Sequence, residues 1–192
     1  MDHLSKEFWS LRYQNKETGW DIGEISTPIK AYFDQIENKE IKVLIPGCGY
    51  GHEAEYLFKS GFSNVHIIDI AQEPLIRFKD RNKDYPRVNI HLGDLFTHNG
   101  SYNLIIEQTM FCAINPFLRQ SYADKINSLL KPQGKMIGVL FNREFQYGPP
   151  YGGTKNEYLV YFKKKFSEVM IEECYNSIES RDNSEFFIKM IK

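Results

Sequence analysis

The feature that most constrains this chain is a change of hydrophobic period at a glycine cluster. Residues 41–45 form a short β-branched run that stops at Pro46-Gly47-Cys48-Gly49-Tyr50-Gly51, and residues 52–60 then carry a helical pattern closed by Gly61. The order is strand, glycine turn, helix. It recurs: strand 64–70 precedes a helix over 73–82 opened by Pro74, and a strand over 88–92 ends in Gly93-Asp94. Strand 102–106 then leads to a helix capped by Asn115, with Pro116 at its first position and Leu118, Tyr122, Ile126 and Leu129 on one face. A turn over 131–134 precedes a strand over 135–141. A parallel pair cannot be closed by a tight turn, so this alternation predicts an α/β, doubly wound, mostly parallel sheet. Near the end Thr154-x-x-Glu157 predicts a capping box before a helix to about Phe166. Residues 169–177 and 185–191 are spaced to pair as an antiparallel hairpin, which brings the sheet to seven strands.

The chain begins with a different kind of segment. A short helix is predicted over 6–13 and a turn over 15–19; Thr27 is then expected to cap a helix carrying Pro28, Ile29, Tyr32, Phe33 and Ile36. The organisation expected is a single domain, with a helical arm or lid over 1–37 and a Rossmann-like core over 38–192. A chain of 192 residues buries about 70% of its unfolded surface and needs no disulfide staple or structural metal. Its three cysteines, Cys48, Cys112 and Cys174, are odd in number and far apart, as expected in a reducing compartment. His3, His52, His66, His91 and His98 show no ligand spacing and read as surface or turn histidines, so no metal is expected. The longest stretch without Asp, Glu, Lys or Arg is 12 residues, 95–106, too short for a membrane span, and the charged start does not read as a signal peptide. With 24 basic and 25 acidic residues there is no field to gather nucleic acid or acidic lipid, and the Lys163-Lys164-Lys165 run reads as a solvated helix end. The expectation is a soluble, cytoplasmic monomer acting on a small molecule.

The glycine turn indicates a ligand. Gly47-x-Gly49-x-Gly51 lets backbone approach a nucleotide closely, and the helix that follows offers free N–H groups. A dinucleotide fingerprint would need its third glycine at position 52, where this chain has His52. An adenosyl sulfonium has no pyrophosphate and tolerates that change, so the spacing suits S-adenosylmethionine better. Asp69, 18 residues after Gly51 at a strand end, can accept both ribose hydroxyls; taken alone it could equally be a helix cap. Asp94 suits an adenine amino group and Leu95 the ring face, with an ordinary turn acid as the alternative. Trp9, Tyr13 and Trp20 precede the sheet and can form either an aromatic lid over a sulfonium or a brace for the arm. Arg119, on the first turn after Pro116, could steer and hold an anion, and Gly148-Pro149-Pro150-Tyr151-Gly152-Gly153 reads as a closing loop or a long connection.

Taken with Phe8-Trp9, Gly19-Trp20-Asp21, Pro46-Gly47-Cys48-Gly49, Met110-Phe111-Cys112-Ala113-Ile114-Asn115-Pro116, Arg119, Tyr122-Ala123-Asp124 and Gly148-Pro149-Pro150-Tyr151, the chain resembles the thiopurine S-methyltransferase family, closest to its thiol and halide methyltransferase branch. The resemblance implies a class I methyltransferase fold. It also implies S-adenosylmethionine as cofactor, S-adenosylhomocysteine as product, and a thiol, thiocyanate or halide as acceptor. It implies cofactor contacts at Trp9, Tyr13, Trp20, Gly47, Cys48, Gly49, Asp69, Ile70, Asp94, Leu95, Glu107 and Gln108, and acceptor contacts at Arg119, Pro150 and Tyr151, with no certain catalytic residue. Tyr13, Gln108 and Glu107 stand where that branch often carries Trp, Tyr and Asp. Two other readings stay open on the residues alone: a nitrogen acceptor in protein or nucleic acid, and a nucleotide-binding oxidoreductase or module without methyl transfer.

Overall fold

The computed structural model describes residues 4–192, and the reading made for His3 lies outside the described residues. In chain order the elements are α1 Lys6–Gln14, α2 Thr27–Phe33, β1 Val43–Pro46, α3 His52–Lys59, β2 Val65–Asp69, α4 Gln72–Arg81, β3 Ile90–Leu92, β4 Tyr102–Gln108, α5 Arg119–Leu129, β5 Leu130–Phe141, α6 Lys155–Phe162, β6 Glu168–Glu173 and β7 Glu185–Ile191. They build one seven-stranded sheet of order β3-β2-β1-β4-β5-β7-β6. β3, β2, β1, β4 and β5 are mutually parallel, while β7 runs antiparallel to both β5 and β6. The α/β class, the parallel majority and the terminal hairpin are as the sequence leads one to expect.

β1 and β2 are buried at every position, as strands covered on both faces by crossover helices must be. Side chains alternate across the sheet. Leu44 joins Ile105, Tyr122 and Ile126 on one face; Val43 and Ile45 join Ile29, Phe33, Leu57 and Phe78 on the other. Ile29 and Phe33, which anchor α2, have at most 1% of their surface exposed, a burial that contributes about 1.5–3 kcal/mol each.

Four local expectations change. Ser26, not Thr27, occupies the cap position of α2, and neither hydroxyl caps the helix: Pro28 removes one amide a cap would satisfy. Ser26 Oγ instead donates to Gln108 Oε1 at 3.0 Å, and Thr27 Oγ1 donates to the Asn176 carbonyl. The turn over 131–134 lies within β5, where the register against β4 jumps from Tyr102↔Leu130 to Leu104↔Lys135. α6 stops at Phe162, and Lys163, Lys164 and Lys165 form the exposed turn beyond it. His66 is no surface residue: it is buried in β2, with Nδ1 3.0 Å from Nε2 of His91 on neighbouring β3. Among the described residues no three His, Cys, Asp or Glu side chains form a metal-holding group, and no helix is long and apolar enough to cross a membrane.

One consequence of the topology positions the site. The carboxyl ends of β1 to β5 lie along a single sheet edge, and the antiparallel register Phe141↔Glu185 brings the start of β7 to that same edge.

Candidate active site

Along this edge lies a cavity of about 620 Å³, a size within the range of small-molecule sites. Gly47 follows β1 at φ +57°, a left-handed conformation that favours glycine, and a Cβ there would meet Met110 Sδ at 2.6 Å. Asp69 ends β2. Its Oδ2 accepts from the Gly49 N–H and its Oδ1 from the Ala71 N–H, each at 2.9 Å, so one carboxylate ties the glycine turn to the start of α4. Burial pushes its pKa up to about 6, against the pull of those two amides. Asp94, after β3, caps a short 3-10 helix through Phe96 N–H at 2.9 Å and also lines the cavity, so its turn-acid role does not remove it from the cavity wall.

The N-terminal arm closes over these strand ends. Ser5 caps α1, and Gln14 Nε2 donates to Glu73 Oε1 at 2.6 Å, docking the helix on α4. The Trp20 ring meets Trp9 and Tyr13 edge-on, with centroids 5.5 and 5.6 Å apart, and Tyr13 in turn meets Tyr50 at 5.4 Å. The Arg12 guanidinium sits 5.3 Å from the Trp20 ring centroid, so this aromatic surface already accepts a cation. The Trp20-Asp21 loop is held at two points: His52 Nε2 lies 2.9 Å from Asp21 Oδ1, and Arg181 Nη2 donates to the Trp20 carbonyl at 2.9 Å.

Of the residues singled out from the sequence, Trp9, Tyr13, Trp20, Gly47, Asp69, Ile70, Asp94, Leu95 and Pro150 line the cavity together. Six stand off it. Cys48 is buried under the turn, where burial pushes its thiol well up, and the Gly49 N–H is taken by Asp69. Gln108 is held by Ser26. Glu107 is 1% exposed; it accepts from Phe111 N–H at 2.9 Å and from the Tyr122 hydroxyl, and burial pushes its pKa up to about 7. Arg119 and Tyr151 lie behind the wall, because the guanidinium donates to the Tyr151 and Gly152 carbonyls.

Sequence reasoning missed several cations and rings and one thioether of the lining: Arg12, Arg143, Arg181, Phe141, Phe145 and Met110. Arg181 pairs with buried Glu185 at 3.4 Å, and its guanidinium lies 5.6 Å from the Phe141 ring. The i, i+4 spacing of Arg181 and Glu185 was the one signal available, and it would have suggested only a surface pair. Thr109, also lining the cavity, has φ +63°, strained for a β-branched residue and of the kind that gathers at functional sites.

A glycine cradle with no room for a Cβ, a buried carboxylate at the second strand end and edge-packed aromatic rings fit an adenosyl sulfonium. A family model described as Thiopurine S-methyltransferase (TPMT) matches residues 4–185. Thiocyanate methyltransferase 1 of Brassica oleracea is 29% identical over 185 residues, covering 92% of this chain and 81% of its own length, and Thiopurine S-methyltransferase of Pseudomonas fluorescens is 22% identical over 191 residues, covering 88% and 87%. The fold matches the Burkholderia thailandensis 1,6-didemethyltoxoflavin-N1-methyltransferase, solved with S-adenosylhomocysteine, at a TM-score of 0.74 over 97% of this chain and 86% of that one, with 14% identity. The chain therefore belongs to the thiopurine S-methyltransferase family of S-adenosylmethionine-dependent methyltransferases.

Proposed function

We propose that this enzyme methylates a small nucleophile, a thiol taken as its thiolate or else thiocyanate or a halide, in a closed aromatic pocket. The observation that carries the reading is the continuity of one cavity from Gly47, Asp69 and Asp94 to Arg143 and Arg181. When bound, S-adenosylmethionine supplies an electrophilic methyl on a sulfonium. Asp69 is assigned to the ribose hydroxyls, Asp94 and Leu95 to the adenine, and Trp9, Tyr13 and Trp20 to the lid. Arg143 and Arg181, two of the three arginines in the lining, favour an anion beside them, and the apolar rings of Phe141 and Phe145 strip its water. An anionic acceptor needs no dedicated base, so the protein's task is to align it and keep water out. The names of the relatives, thiocyanate and thiopurine methyltransferases, support the acceptor class. The arm over 1–37 is taken as the lid on the core over 38–192.

The test is methyl release from labelled S-adenosylmethionine over a panel of hydrosulfide, thiophenol, thiocyanate, iodide and a thiopurine. Turnover of at least one of these is expected. Label transferred only to protein or nucleic acid, with the panel inert, would overturn the reading.

A further inference from the structure

Arg119 opens α5 and is only 5% exposed. Its Nη2 donates to the Tyr151 carbonyl at 3.1 Å and the Gly152 carbonyl at 2.9 Å, and the guanidinium lies over the rings of Phe111 at 4.8 Å and Tyr158 at 5.8 Å. Nε is buried with no hydrogen-bond partner, and among the described residues no carboxylate forms an ion pair with this side chain. A guanidinium at such depth without a counter-charge is unfavourable, and a neutral side chain of similar shape would pack the two rings as well. The position indicates what the charge does. α5 is preceded by the loop over 109–118, which gives the cavity Met110, Cys112 and Ile114; Tyr151 and Gly152 belong to the connection over 142–154, which gives it Phe145, Pro149 and Pro150. Arg119 lines neither loop's cavity face yet bonds one to the other, beside the backbone bond from Tyr151 N–H to the Cys112 carbonyl at 2.7 Å.

We propose that Arg119 is a positioning residue that builds the acceptor side of the cavity from behind. The two N–H bonds of its Nη2 hold the Tyr151 and Gly152 carbonyls against the 109–118 loop and so fix Pro149 and Pro150. Its charge, with that of Arg181, opposes the Glu107 carboxylate at the Cys112 wall without touching the acceptor. This rests on the methyl-transfer reading only for the identity of the anion; the clamp itself does not depend on it. Lysine at this position would keep the charge but replace the planar Nη2 group, set in place over the Phe111 ring, with a freely rotating ammonium that does not hold both carbonyls in one plane, and methionine would lose the charge and the donors while keeping the volume.

The experiment compares wild type, Arg119→Lys and Arg119→Met by amide hydrogen exchange over residues 142–154, by calorimetry with S-adenosylhomocysteine, and by kcat and KM for thiophenol and thiocyanate as a function of pH. Arg119→Met is expected to speed exchange at Tyr151 and Gly153 about ten-fold and to raise acceptor KM about ten-fold, with S-adenosylhomocysteine affinity held within about three-fold. Arg119→Lys is expected to speed exchange nearly as much while keeping the acceptor pH profile of wild type, and it carries the comparison if the methionine variant does not fold. Unchanged exchange with a raised acceptor KM would mean direct contact with the acceptor and would overturn the proposal. So would loss of product binding equal to the loss of acceptor binding. If wild type turns over none of the acceptors, the function reading fails, while the exchange measurement still decides for or against the clamp.

Discussion

The two sides of the cavity, proposed above to take donor and acceptor, are built in opposite ways. The donor side is made by strand ends: Gly47, Asp69 and Asp94 follow β1, β2 and β3, and Asp69 is locked by two backbone amides within the turns it joins. The acceptor side is made by long connections that side chains tie together across large sequence distances. Arg181 reaches the Trp20 carbonyl from 161 positions away, and Arg119 reaches Gly152 from 33 positions away. A site carried on the sheet inherits the sheet's rigidity, whereas one carried on loops is only as rigid as its clamps.

Variants should separate the two sides, and the largest effect is expected at Asp69. Asp69→Asn replaces one acceptor oxygen by a donor that faces the Gly49 or Ala71 N–H, and it removes the charge offered to the ribose hydroxyls. Calorimetry should show product affinity falling about 100-fold, since hydrogen bonds to charged groups contribute about 1.5–3 kcal/mol each. An affinity within three-fold of wild type would show that the donor side does not rest on this carboxylate.

The same contrast explains what could be read in the sequence. The fold and the donor side were legible because both are local: a glycine turn, an acid at a fixed interval and a period change encode themselves within about 20 residues. Trp9, Tyr13 and Trp20 were legible as a group because rings outside the sheet pattern need a reason to be there. Of the acceptor side only Pro150 was legible, because nothing near Arg181 or Phe141 announces that an antiparallel register will set Phe141 opposite Glu185. Arg119 was visible as a residue but not in its orientation: a helix start suggests an anion site, and only the folded 142–154 connection shows that carbonyls occupy the guanidinium.

A smaller effect is expected at Arg181, which touches both sides. Arg181→Met removes a cavity cation, the Trp20 anchor and the partner of buried Glu185. We expect kcat/KM for thiophenol to fall about 30-fold and product affinity only about three-fold, because the lid keeps its Asp21–His52 contact. Trp9 and Trp20 are the chain's two tryptophans, so intrinsic fluorescence reads the lid directly, and a smaller change on product binding should accompany the loss. Equal losses on both sides would deny that the two are separately held.

Protonation should act on the donor side first. With the Asp69 pKa near 6, and the ionised form required to accept two ribose hydroxyls, product affinity should be level above pH 7 and weaken about ten-fold by pH 5. In Asp69→Asn this slope should vanish, which separates Asp69 from other groups that titrate in that range.

The smallest expected effect falls where the two sides meet. Glu107 ends the buried part of β4 and accepts from Phe111 N–H, at the point where the sheet hands the chain to the acceptor loop. Its pKa in the folded state is near 7, above the ordinary carboxylate value, because burial disfavours the charge. Between about pH 4.5 and 7 the folded protein holds a proton that the unfolded chain releases. Its contribution to stability is therefore complete below about pH 4.5 and declines as pH rises to 7, by about 1–3 kcal/mol. Glu107→Gln cannot ionise, yet its amide oxygen can still accept from Phe111 and its amide nitrogen can donate to the Tyr122 oxygen. The variant should match wild type in Tm at pH 5 and exceed it by roughly 3–6 °C at pH 8. Scanning calorimetry at the two pH values checks this. A wild-type Tm that does not fall relative to the variant's between them would place the charge of Glu107 in a better-solvated setting than its burial indicates.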